Sequence, residues 1–174
     1  MTIELTMLFW AGVLTLAQVV VAVLLTLGQV SLSELAGNRD GLPAPSDMAG
    51  RAVRAHANML ESLVLFAILV LIIQIAGLNN DQTALGAQIF VGARLVHAIV
   101  YLVGVPWLRT GVWAVSIIGL VMMAWPILMA CQRQHTIRTN QSRRRGIPAA
   151  VFSLQTFEKI CLCVNLDILF LAAQ

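Results

Sequence analysis

The sequence predicts an all-α integral membrane protein built as a four-helix bundle, and three observations lead to this fold class. Hydrophobic residues make up 59% of the 174 residues, charged residues make up 11%, and the mean hydropathy is +0.86. These values lie far from those of soluble domains. Three long stretches contain no charged residue, and a fourth contains only Arg94. All four are continuously apolar without alternation, which excludes membrane-spanning strands.

The first two helices are predicted over residues 5–27 and 48–76. A stretch of roughly 20 apolar residues is enough to span a bilayer. Gly28 is expected near the end of the first helix, and the connection that follows contains strong turn residues. Ser46 or Asp47 is expected to cap the second helix. This helix is longer than a hydrocarbon core of about 30 Å requires, so its beginning should lie at headgroup level.

The third and fourth helices are predicted over residues 82–104 and 110–130. A short polar turn at residues 77–81 precedes the third helix, and Gly104 and Pro106 mark the turn into the fourth. Basic residues near helix ends set orientation, because they favour the cytoplasmic side of a membrane. The side that holds the first and third connections is therefore predicted to be cytoplasmic, since it carries Arg39, Arg51, Arg54 and Arg109.

The remaining chain differs in composition, so two regions are predicted: a membrane domain at residues 1–131 and a basic, then apolar tail at 132–174. An amphipathic or disordered tail is favoured over a fifth span at residues 149–174, because three charged residues interrupt that stretch. The three cysteines include no C-x-x-C pair, so neither a metal site nor a disulfide framework is indicated. Five of the eleven basic residues lie in the tail, and nucleic acid is not an expected partner.

A stripe of polar residues enters the second apolar stretch. Arg51, Arg54, Asn58 and Glu61 follow one another at steps of three or four residues, which places them on one face of a helix. Arg94, His97 and Tyr101 share a face of the third helix in the same way. Charges at membrane depth are costly and usually have a function, so these two faces predict a polar site.

The order and spacing of these residues resemble a known family. The pattern R-x-x-R-A-H-x-N-x-x-E, then R-x-x-H-x-x-x-Y, then an arginine at the start of the fourth helix is similar to the MAPEG family of membrane-associated proteins in eicosanoid and glutathione metabolism. The likeness covers about residues 6–129. The stretch from Tyr101 to Trp113, together with Gly37-Asn-Arg-Asp40, most resembles the poorly characterised bacterial branch, which implies a bacterial plasma membrane.

This resemblance implies a homotrimer of four-helix bundles that binds glutathione between neighbouring subunits, near the cytoplasmic side. A lipophilic second substrate would enter from the bilayer. By similarity, Arg109 is the candidate catalytic residue that stabilises the glutathione thiolate. The candidate glutathione-binding residues are Arg51, Arg54, Asn58, Glu61, Arg94, His97 and Tyr101.

Structural interpretations of the same residues stay open. Arg94 and Glu61 would form an interhelical ion pair that holds the bundle together, and His97 and Tyr101 would be hydrogen-bonded between helices. His56 faces away from Arg54, which favours a role in packing. The chain also departs from the eicosanoid-forming members. Val30 is followed directly by Ser31, Leu32 and Ser33 instead of basic residues, and Trp113 stands where the prostaglandin-forming branch has a tyrosine.

Two functions from different classes fit the sequence. The favoured one is a glutathione-dependent transferase or peroxidase that acts on a lipophilic electrophile or a lipid hydroperoxide. The alternative is a non-catalytic membrane trimer whose polar cavity binds a lipid headgroup or an anionic metabolite. Transport is disfavoured, because the sequence has no inverted repeat and no interrupted helix.

Overall fold

The computed structural model describes residues 1–30 and 46–144, with side chains as far as Arg133 and at Thr136. This part of the chain contains no strand. Its helices are α1 (Ile3–Leu27), α2 (Asp47–Ala76), α3 (Asp81–Val103) and α4 (Pro106–Arg144). All four are long and apolar enough to cross a membrane. The predicted all-α class with four spanning helices is therefore confirmed.

Hydrogen bonds between Gln29 and Ser46 join the end of α1 to the beginning of α2. The Ser46 backbone N–H donates to Oε1 of Gln29 at 3.0 Å, and Nε2 of Gln29 donates to the Ser46 carbonyl at 3.1 Å. Ser46 is the N-cap residue of α2, as predicted, although its own side chain makes no capping bond. Gln29 therefore supplies the side-chain contact at this helix entry.

The turn from α2 to α3 is formed by a glycine at the end of α2 and a capping box at the start of α3. Gly77 ends α2 in the left-handed region with φ 63°, which glycine adopts without a steric penalty. Asn80 and Thr83 then form a reciprocal capping box at the start of α3, with bonds of 2.9 and 3.0 Å. These bonds fix the point at which α3 begins.

Helix α4 is longer at both ends than the predicted range of 110–130. It starts at Pro106, because proline is well tolerated in the first turn of a helix, and it runs through Pro126. It continues to Arg144, because the polar residues after Gln132 contain no glycine or proline before Gly146. Polarity ends the membrane-compatible stretch but does not end the helix.

The chain divides into two compact units, Met1–Ala124 and Trp125–Gln174, the second described only as far as residue 144. The predicted tail at residues 132–174 thus begins as helix, and the stretch considered for a fifth span lies outside the described residues. Cys131 is disulfide-bonded, so the expectation from cysteine spacing was wrong at this residue. Disulfides depend on distance in the folded chain, which spacing along the sequence does not report.

Within the first unit, α1 packs on α2 and α3, and α2 packs on α3. The centre of the α2–α3 contact is a stacked pair, Phe66 and Phe90, with ring centroids 4.3 Å apart and both side chains fully buried. Met59, Val70 and Ile73 of α2 are also buried. This apolar layer lies beside the polar residues of α2 and α3.

Helices α3 and α4 approach each other at two glycines. A Cβ atom on Gly86 would lie 2.8 Å from the Gly119 carbonyl oxygen, and a Cβ on Gly119 would lie 2.7 Å from the Gly86 carbonyl oxygen. Both distances are shorter than a side chain can accommodate. The crossing therefore requires glycine on both helices, a form of close packing that is common between membrane helices.

A polar cluster connects the helices at the end of the bundle where α1 and α3 begin and α2 ends. Oγ1 of Thr83 donates to Oε1 of Glu4 at 2.6 Å, and Glu4 is only 2% exposed. Nε2 of Gln74 donates to Oγ1 of Thr2 nearby. These bonds satisfy a buried carboxylate and connect three helices, which is how polar groups in a membrane bundle contribute to stability.

Large apolar side chains cover much of the outer surface. Leu16 is 64% exposed, Ile75 is 87% exposed and Trp107 is 89% exposed. In water this surface would be unfavourable, whereas lipid tails solvate it. Trp107 lies in the first turn of α4, where a tryptophan suits the membrane interface.

Candidate functional site

The predicted site residues lie at one end of the first unit, where α2 begins, α3 ends and α4 begins. Gly104, with φ 87°, is the C-cap residue of α3, and α4 begins shortly after it at Pro106. Residues 51–61 of α2 run inward from this end, and residues 94–101 of α3 run back toward it. The antiparallel course of α2 and α3 therefore brings both predicted faces to the same side of the membrane.

The polar stripe on α2 consists of two columns rather than one uniform face. Arg51 and Asn58 are half-buried and bond to α3, whereas Arg54 and Glu61 are exposed. Residues seven apart nearly overlap on a helix, while a step of three turns the side chain by about 60°. The inner column is thus Arg51 and Asn58, and the outer column is Arg54 and Glu61.

Arg51 connects the beginning of α2 to the end of α3. Its Nε donates to the Leu102 carbonyl oxygen at 3.1 Å, an acceptor that the helix itself leaves unused in its last turn. Its guanidinium also lies 3.7 Å from the position of a Cβ on Gly104. A cation at a helix C-terminus is favourable, so this contact has a structural role whatever else Arg51 binds.

Asn58 contacts Arg94 inside the α2–α3 interface. Nη1 of Arg94 donates to Oδ1 of Asn58 at 2.6 Å, and Arg94 is only 2% exposed. The Arg94 guanidinium also lies 5.4 Å from the centroid of the Phe90 ring, one turn earlier on α3, a distance within the range of a cation–π contact. Nε of Arg94 is buried without a partner among the described residues.

The exposed outer column carries two charges that nothing in the described part of the chain neutralises by contact. Arg54 has no hydrogen bond or ion pair there, and Glu61 influences Arg94 electrostatically without a contact ion pair. The structural alternative of a direct Arg94–Glu61 ion pair is therefore not formed within the described part of the chain. Glu61 is instead exposed at the surface of the chain.

On α3 and α4, three side chains form a stack. The rings of His97 and Tyr101 meet edge to face with centroids 5.5 Å apart. The Arg109 guanidinium, from α4, lies 4.8 Å from the centroid of the Tyr101 ring. His97 lies within electrostatic range of both Arg94 and Arg109. The structure therefore brings His97, Tyr101 and Arg109 together by ring contacts. The alternative in which His97 and Tyr101 form hydrogen bonds between helices has no such bond among the described residues.

Two partners of the site residues were not predicted from the sequence. Phe90, beneath Arg94, lies four residues before it, so helical spacing carries a signal for this contact. The Leu102 carbonyl that binds Arg51 leaves no signal, because any residue supplies a carbonyl. His56, expected in packing, has a buried Nδ1 without a partner among the described residues.

The arrangement offers separate groups for anions and for a cation. Arg54 supplies an exposed guanidinium, Asn58 an amide and Glu61 a carboxylate along one helix. Arg109 supplies a second guanidinium beside an aromatic ring at the same end of the unit. Such a set complements a small zwitterionic molecule that carries more negative than positive charge.

Comparison of the sequence with known proteins assigns the chain to a family. The model of the MAPEG family matches residues 5–129, which is most of the chain and includes every candidate site residue. Human microsomal glutathione S-transferase 1 is 37% identical over 60 residues, a segment that spans 34% of this chain and 39% of that relative's length. The chain belongs to the MAPEG family and is an integral, multi-pass membrane protein.

Proposed function

We propose that this protein is a glutathione-dependent transferase or peroxidase that acts on a lipophilic electrophile or a lipid hydroperoxide. The observation that carries the proposal is the outer column of α2, with two exposed charges of opposite sign, together with Arg109 at the same end of the unit. Membership of the MAPEG family supports it, as does the likeness to a human microsomal glutathione S-transferase.

The outer column also supports assembly as a homotrimer with the site at a subunit boundary. Arg54 and Glu61 lie on a helix that is apolar enough to span the membrane. Charged groups that faced lipid at that depth would be costly. A neighbouring protomer and a bound polar substrate would remove both groups from lipid. The site would open toward the cytoplasm, because basic residues are concentrated at this end.

Glutathione fits the available groups. It carries two carboxylates, one ammonium and one thiol. Arg54 and Asn58 donate to carboxylate and carbonyl oxygens, with Arg51 nearby, and Glu61 pairs with the ammonium. His97 and Tyr101 line the space from α3, and Arg94 supports the cluster from within the α2–α3 interface.

Arg109 is the proposed catalytic residue. A free thiol has a pKa of about 8.5 and is mostly protonated at neutral pH, and an adjacent guanidinium lowers that pKa. The thiolate then attacks the electrophilic carbon of an apolar substrate, and a carbon–sulfur bond forms as the bond to the leaving group breaks and that group departs with the bonding electrons. With a hydroperoxide, the thiolate attacks the terminal oxygen and releases an alcohol. A second glutathione then reduces the sulfenic acid, giving the disulfide and water.

Calorimetry of glutathione binding tests this proposal, using wild-type protein and the variants Arg54→Ala and Arg109→Ala. Arg54→Ala should weaken binding by roughly 10- to 100-fold, because a charge-assisted hydrogen bond is lost. Arg109→Ala should retain more of the affinity but lose the ultraviolet absorbance of the bound thiolate. The proposal fails if wild-type protein binds no glutathione, or if the thiolate signal does not depend on Arg109.

The second candidate function, binding of a lipid headgroup or an anionic metabolite without catalysis, uses the same cations. It is favoured by one observation: Val30 is followed directly by Ser31, Leu32 and Ser33, none of which is basic. Native mass spectrometry distinguishes the two. A lipid or metabolite retained through purification, with no glutathione-dependent turnover, would support the binding function. Turnover that is lost in Arg109→Ala would exclude it.

A further inference from the structure

The hydrogen bond between Arg94 and Asn58 determines which way round the Asn58 amide lies. Nη1 of Arg94 approaches the amide oxygen at 2.6 Å. A guanidinium has only N–H donors and no acceptor, so the atom that faces it must be an oxygen. If the amide were turned over, two N–H groups would oppose each other in a buried site. The chemistry of the partner therefore agrees with the orientation of this amide.

Arg94 is itself held in place, so it cannot turn away to release the amide. Its side chain is 2% exposed, and its guanidinium lies over Phe90, which is stacked on Phe66 from α2. Its Nε has no partner among the described residues, so Oδ1 of Asn58 is the acceptor on which the buried cation depends there. Loss of that acceptor would leave the guanidinium without a hydrogen bond, which is costly in a buried position.

The other end of the amide faces outward. Asn58 is half-buried, no described residue accepts from its Nδ2, and this nitrogen is not enclosed by the protomer. It lies four residues after Arg54 and three before Glu61, between the two exposed charges of the outer column. The surface of α2 therefore presents a guanidinium, then an amide N–H₂ group, then a carboxylate.

We propose that Arg94 is a positioning residue that turns the Asn58 amide so that only N–H donors face the ligand. At this point the site accepts a carboxylate or carbonyl oxygen and disfavours an ammonium or another N–H group. This inference rests on the proposed function. The inference adds to the proposed function a direction for the bound molecule along α2. Its acceptor oxygens would lie at Arg54 and Asn58, and its ammonium would lie toward Glu61.

Asn58→Asp is the decisive variant, because it keeps the size of the side chain and its bond to Arg94 while replacing the outward N–H₂ by an oxygen. The thermal midpoint of unfolding should equal or exceed that of the wild type, since the buried bond becomes charge-assisted. Glutathione affinity should nevertheless fall roughly 10- to 100-fold, because the ligand oxygen loses a donor and meets a negative charge. Wild-type affinity in this variant would overturn the proposal.

A second experiment separates the role of Arg94 from general damage to the fold. Arg94→Met removes the donor and should lower both the thermal midpoint and the glutathione affinity. Arg94→Lys should recover part of both, because an ammonium also only donates. A structural role alone would lower the midpoint of Arg94→Met without changing the affinity of the protein that stays folded.

A ligand-free measurement keeps this inference distinct from the proposed function. The double variant Asn58→Asp/Arg94→Met should unfold at a lower temperature than the two single changes predict by addition, because the aspartate then lacks its cation. Additive midpoints would show that residue 58 does not contact Arg94, and would overturn the proposal that Arg94 positions Asn58. If wild-type protein binds no glutathione, the proposed function fails, whereas the coupling in this cycle still tests whether residue 58 contacts Arg94.

Discussion

At the scale of single residues, the chemistry at Arg109 depends on a neighbour from another helix. Its guanidinium lies on the face of the Tyr101 ring, 4.8 Å from the centroid, so the ring limits where the cation can go. A cation over an aromatic face is stabilised by about 0.5–2 kcal/mol, depending on how far it is desolvated. The proposed thiolate stabiliser is therefore positioned by an aromatic side chain.

Replacing Tyr101 tests this dependence. Tyr101→Leu should lower the thiolate absorbance of bound glutathione, because Arg109 loses the ring that holds it. Tyr101→Phe should retain most of the signal, since it keeps the ring. A loss in both variants would instead assign the contribution to the tyrosine hydroxyl. Ultraviolet difference spectra of saturated protein give the comparison.

The buried carboxylate of Glu4 provides a second prediction at this scale. Thr83→Val removes the hydroxyl that donates to Glu4 and also breaks the capping box with Asn80. The cost should be about 1–3 kcal/mol, since a buried acceptor is left with one fewer donor. Thermal unfolding in detergent measures it, and Thr83→Ser is the control that keeps the hydroxyl. Equal midpoints for valine and serine would contradict this account.

At the scale of helices, Arg51 and Arg54 of the motif differ in their contacts. The sequence places Arg51 and Arg54 on one face, and in the folded unit Arg51 bonds to the end of α3 while Arg54 stays exposed. The distinction depends on the α2–α3 contact, because only that contact brings the Leu102 carbonyl within reach. Helical spacing alone treats both residues alike.

Matched alanine variants should therefore give different results. Arg51→Ala should destabilise the protein by about 0.5–1.5 kcal/mol, the usual value of one hydrogen bond, because α2 loses its link to α3. Arg54→Ala should leave unfolding nearly unchanged and reduce glutathione affinity. Unfolding and binding curves measured on the same two preparations make the comparison. Identical behaviour of the two variants would show that the inner and outer columns do not differ in function.

The crossing of α3 and α4 gives a prediction with an internal control. Gly86→Ala and Gly119→Ala each place a methyl group against the backbone of the other helix, which should cost about 1–3 kcal/mol. Gly92→Ala should instead be neutral or stabilising, by up to about 1 kcal/mol, because nothing lies within 4 Å and alanine favours the helix. Thermal unfolding of the three variants measures these differences. A lower midpoint for Gly92→Ala than for the other two variants would contradict this prediction.

At the scale of the whole molecule, the proposed trimer follows from charges that a single chain leaves exposed. Native mass spectrometry of the detergent-solubilised protein should show an assembly of three 18.9 kDa chains. Arg54→Ala and Glu61→Gln should leave the trimer fraction unchanged or lower it. Both variants remove a charge that a neighbouring protomer is proposed to cover, so they remove part of the cost of leaving this surface in lipid. A monomer that retains full glutathione binding would remove the argument for a site at the subunit boundary.

The sequence by itself determined the features that depend on local pattern. Apolar stretches of spanning length predicted the four helices, and Ser46 or Asp47 was predicted to cap α2, because these signals act over a few residues. Helical periodicity grouped the candidate residues, and their order carried the family. Helix α4 extends beyond the predicted range, because no glycine or proline interrupts the polar residues between Gln132 and Arg144.

Tertiary structure decided how the same residues are used. The packing of α2 on α3 divided one polar stripe into an inner column bonded to α3 and an outer column at the surface. It turned the Asn58 amide outward, and the approach of α4 set Arg109 on Tyr101. Each of these outcomes depends on distances between helices. No spacing along the chain contains those distances, because they arise only when the helices pack.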